Sequence, residues 1–99
     1  MADEAVADPV SEAHALALAR FTDARRSGRA IAEHLAGVID ELVTTLDHVA
    51  ATRDKLARDP RRTDGDELRR TARRARAFAE EERRESRRLR ETWQLEPPG

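Results

Sequence analysis

The chain has 99 residues and a net charge of −1, and 18 of its hydrophobic residues are alanine, which leaves 20 large apolar side chains for a core. So small an apolar stock excludes a large enclosed active site, and no run approaches the roughly 20 apolar residues of a membrane span. The absence of cysteine excludes a disulfide scaffold and thiolate ligands.

The first residues, Met1 to Asp8, are acidic and lack the basic and apolar regions of a signal peptide. Residues 1–8 read as a disordered tail and the chain as cytoplasmic. Asp8-Pro9 then reads as an N-cap followed by proline at the first helical position.

The first helix is expected over 9–58. Steps of three and four residues give Ile31, Leu35, Val38, Leu42, Thr45, Val49, Thr52 and Leu56, with Ile39, Val43 and Leu46 widening the stripe. A face that broad expects more than one helical neighbour. Upstream, Val10, Leu16, Leu18 and Phe21 also need cover. Two arrangements satisfy them. The chain folds back at Ser27-Gly28 as a third helix, or one long helix continues and pairs with another subunit. The three-four phase runs through Gly28 unbroken, which favours continuity against about 1 kcal/mol for a mid-helix glycine. A continuous helix of this kind is about 75 Å long.

Asp59 precedes Pro60, which disfavours helix there and places a turn at 59–63. Thr63 with Asp66, or Asp64 with Glu67, resembles a capping box opening a second helix over 64–94. Its seam is narrow: Leu68, Ala72, Ala75, Ala79, Glu82, Ser86, Leu89 and Trp93. Residues 95–99, with Pro97-Pro98, form a C-terminal tail. Strand signals are absent, since period-2 alternation does not occur. The fold class is therefore all-α: a coiled-coil-like antiparallel hairpin of two long helices, or three if broken at Gly28. Residues 9–94 read as one helical domain.

No constellation for metal or catalysis stands out. His14, His34 and His48 have no histidine or carboxylate three or four residues away, so no helical face presents two ligands. Glycine-rich phosphate loops and nucleophile elbows are missing. Glu82 sits on an otherwise apolar seam, where burial would raise its pKa, but its bland role is pairing with an arginine. No cofactor, metal or enzymatic activity is expected.

Charge is the informative signal. Residues 1–57 carry −4 and residues 58–99 carry +3. Arg69, Arg73, Arg76, Arg83, Arg87 and Arg90 form a stripe about 32 Å long on the second helix. Glu33, Asp40, Asp47 and Asp54 recur every seven residues on the first. Pairing of the two rows is ordinary flank pairing; tracking of phosphates by the arginines is the alternative.

The functional expectation is a non-enzymatic interaction or assembly module, a small oligomeric accessory protein. Its partner is itself, as a homodimer or higher oligomer, or another helical protein, and no membrane is expected. Its interface residues are Leu16, Phe21, Ile31, Leu35, Ile39, Leu42, Leu46, Val49 and Trp93. Sequence-tolerant nucleic-acid binding through the arginine stripe is the second expectation.

Overall fold

A computed structural model describes residues 8–98. It contains two helices, α1 (Pro9–Ala57) and α2 (Gly65–Trp93). The expected tail, apart from Asp8, lies outside the described residues. The chain divides into two compact units, Met1–Ile31 and Ala32–Gly99.

In the first unit, Asp8 caps α1 as its sequence suggests. Its carboxylate accepts from the Val10 N–H at 3.1 Å and the Ser11 hydroxyl at 3.0 Å, satisfying donors that a helix start leaves open. The backbone stays helical through Gly28, so the three-helix alternative does not form. Val10, Leu16, Leu18, Phe21 and Ile31 are all more than half exposed.

The second unit is a helical hairpin built from residues 32–57 and α2. Its core forms two clusters. Ile39 and Val43 pack with Ala79 beside Leu46 and Leu89, and Ala50 packs with Ala72 and Ala75, again beside Leu46. Ala36, Ala50, Ala72 and Ala79 are fully buried. Small residues at each contact point let the helices approach closely.

The α2 seam is the expected one, with Ala72, Ala75, Ala79 and Ser86 buried. The α1 seam differs. It runs along Ala32, Ala36, Ile39, Val43, Leu46 and Ala50, beside the larger stripe of Leu35, Val38, Leu42 and Leu56, which stays exposed. Two causes fix this rotation. Alanine meets alanine at the closest approach, and only this setting turns Asp40, Asp47 and Asp54 toward the arginines of α2. One residue corresponds to about 100° on a helix, so placing Leu42 in the seam would carry those acids away.

The connecting turn is held by short-range ion pairs. The Asp59 carboxylate accepts from the backbone N–H and the Nε of Arg61, at 3.0 and 3.1 Å. Asp64 accepts two bonds from the Arg62 guanidinium, both at 3.0 Å. These arginines hold both aspartates below the ordinary carboxylate range, mainly through the side-chain hydrogen bonds. The expected capping box is absent: Asp64 is the N-cap residue but makes no side-chain cap bond; its backbone, at φ −103° and ψ 20°, lies outside the extended region an N-cap takes, and its carboxylate bonds Arg62 instead. Gly65 sits in a tight space, where a side chain would press on its neighbours. A Cβ there would lie 3.3 Å from the Ala57 carbonyl oxygen and 3.3 Å from the Arg69 guanidinium.

α2 ends at Gln94, which adopts the left-handed conformation with φ 53° and ψ 48°. The Leu95 N–H then reaches back to the Arg90 carbonyl at 2.8 Å, closing the helix end.

Candidate interaction surface

The hairpin has two unlike faces. On one, the acidic row of α1 meets the basic row of α2: Asp40 pairs with Arg90, Asp47 with Arg83, and Asp54 with Arg76. Each step is seven residues on both helices in opposite directions, so the ladder keeps an antiparallel register. Arg90 is its best-covered member, with a side chain 14% exposed. Besides Asp40 it reaches the Ser86 hydroxyl at 3.3 Å and the Glu96 carbonyl at 2.6 Å. Ser86, the one buried polar residue of the hairpin seam, donates to Asp40 at 2.8 Å. A polar side chain that weakens the seam on paper is thereby satisfied.

The opposite face is apolar and uncovered. The helical wheel sets Leu35, Leu42, Val49 and Leu56 on the flank of the α1 seam opposite Asp40, Asp47 and Asp54. On α2 it sets Phe78 on the flank opposite Arg76 and Arg83. Since the charged flanks meet each other, these two flanks open on the same side. Leu35, Val38, Leu42, Leu56 and Phe78 are between 38% and 48% exposed, and Val49 is half-buried.

The expected interface residues thus separate. Leu35, Leu42 and Val49 lie on the open face. Ile39 and Leu46 serve the hairpin's own seam. Trp93 is half-buried at the end of α2, and Leu16, Phe21 and Ile31 are exposed in the first unit. Phe78 belongs with the open face although it falls outside the three-four template of α2. Its place one residue before Ala79, on the flank away from the arginine row, is the signal that identifies it.

Of the six arginines in the stripe, five have carboxylate partners. Arg69 bonds Asp66 at 2.8 Å, Arg87 lies 3.8 Å from Glu80, and Arg76, Arg83 and Arg90 form the ladder. Arg73 is exposed. The row is therefore largely charge-compensated, which weakens its attraction for phosphates.

A groove of about 740 Å³ lies beside the ladder, lined in part by Asp40, Val43, Arg83, Ser86, Arg90 and Leu95. Its principal polar side chains already bond one another. Among the described residues no buried side-chain nitrogen or oxygen lacks a hydrogen-bond partner. Among them, too, no group of three His, Asp or Glu residues is placed to hold a metal ion, and no helix is long and apolar enough to cross a membrane. Glu82 is half-buried at the seam's edge.

Comparison with protein-family models, with curated proteins and with solved structures returns no match.

Proposed function

We propose that the protein is a non-enzymatic helical interaction and assembly module of the cytoplasm, working through the apolar face of its hairpin. One observation carries this reading. Leu35, Val38, Leu42, Leu56 and Phe78 remain 38–48% exposed together, while the opposite face is closed by ion pairs. Isolated exposed leucines are ordinary, but a contiguous apolar row with a polar rim marks a surface that another chain covers. The row has the three-four spacing that a partner helix reads as anchors.

Nucleic-acid binding through the arginine stripe draws less support, since acids within the chain already neutralise most of it.

The test is the size of the intact chain in its native extract, for the wild type and for Leu42→Glu. The wild type is expected to migrate above the monomer and the variant at the monomer, with unchanged helicity. A wild-type chain that migrates as a monomer both in the extract and after purification contradicts the proposal.

A further inference from the structure

We propose that the occupant of this face is a second copy of the chain, packed about a two-fold axis that passes beside Phe78, with α2 antiparallel to α2. This rests on the reading above and gives the partner's identity and register.

The argument is charge complementarity. Next outward from Phe78, α2 carries Glu67, Arg74, Glu81 and Arg88, seven residues apart and alternating in sign. An axis between residues 77 and 78 sets Arg74 against Glu81 of the second copy and Glu67 against Arg88, each twice. All four contacts are then attractive. A parallel pairing would set every residue of the row against its own kind. Sliding the antiparallel pair by one heptad would set Glu67 on Glu81 and Arg74 on Arg74. Within this row, only the register centred at Phe78 is favourable over its full length, and a two-fold interface requires such self-complementarity.

The distribution of ion pairs within the chain points the same way. Asp40, Asp47 and Asp54 are all engaged on the ladder face. Among the described residues, by contrast, Arg74 and Glu81, the two charges nearest the axis, form no ion pair with their own chain, whereas Glu67 and Arg88 also pair with Arg70 and Glu85 of their own helix.

Sedimentation equilibrium on the purified chain tests this, with circular dichroism confirming that each variant is folded. Wild type is expected to dimerise. Arg74→Glu, which replaces two attractive contacts by two repulsive ones, should raise the dissociation constant about five- to tenfold. Adding Glu81→Arg should restore it to within about twofold. In a chain without cysteine, Phe78→Cys should oxidise to a covalent dimer, because the axis brings the two copies of residue 78 together, whereas Arg73→Cys on the ladder side should not. A dimer indifferent to Arg74→Glu, or one that the double variant fails to restore, overturns the register. A purified chain that stays monomeric while the extract shows a larger complex overturns the second copy but leaves the assembly reading standing. A monomer in both overturns both.

Discussion

Arg90 joins three parts of the hairpin. It links Asp40 on α1, Ser86 on its own helix and the carbonyl of Glu96 beyond the helix end. Removing it would leave Asp40 half-buried beside Ser86 without its cation. Arg90→Ala is therefore expected to cost about 1–2 kcal/mol in urea denaturation. Arg83→Ala, whose pair with Asp47 is more exposed, should cost less, about 0.2–1 kcal/mol. Gln94 offers the opposite sign. It occupies the left-handed region without being glycine, so Gln94→Gly should stabilise the chain by up to about 1 kcal/mol by relieving its Cβ. At this scale the acidic and basic rows were legible, because both repeat every seven residues. The three-way role of Arg90 was not, since the position of Glu96 depends on the left-handed turn at Gln94, for which glutamine gives no sequence signal.

At the scale of elements, the turn and the seam behave differently. Arg61 and Arg62 hold the carboxyls of Asp59 and Asp64 below their ordinary range. A depressed folded-state pKa stabilises the fold at neutral pH. That contribution is full above the unfolded value near pH 4 and is lost as pH falls through the lower folded values. The thermal midpoint should accordingly drop on acidification below about pH 4, and Asp59→Asn/Asp64→Asn should show a smaller drop from a lower neutral value. The seam predicts a contrast within α1. Ile39→Ala empties a packed site and should cost about 2–4 kcal/mol.

Helix limits to within a residue or two and the alanine seam of α2 could be read from periodicity and from Asp8-Pro9 and Asp59-Pro60, whereas helix number stayed open between two and three at Gly28 until the structure showed α1 continuous. The rotation of α1 could not be read in this way. Its apolar residues cover two adjacent faces, and size alone favoured Leu35, Leu42 and Leu56 as the buried set. Close alanine contacts and the ion-pair ladder selected the neighbouring face instead, and both are properties of the helix pair rather than of either helix. The capping box failed as well: the Asp64 backbone lies outside the extended region, and its carboxylate bonds Arg62, a contact that no capping pattern includes.

For the molecule as a whole, the charged ladder closes one side of the hairpin and leaves the leucine row open on the other. On the proposed reading, a leucine on that open side adds little to the fold of one chain and a great deal to its association. Leu42→Glu should therefore retain helicity while abolishing association, whereas Ile39→Ala should weaken both. The most direct measurement is sedimentation equilibrium of the intact wild-type chain at neutral pH, from about 1 to about 100 µM. A mass of twice the chain, reverting to one with Leu42→Glu, is the predicted result; a folded monomer across the whole range would contradict the second-copy interface.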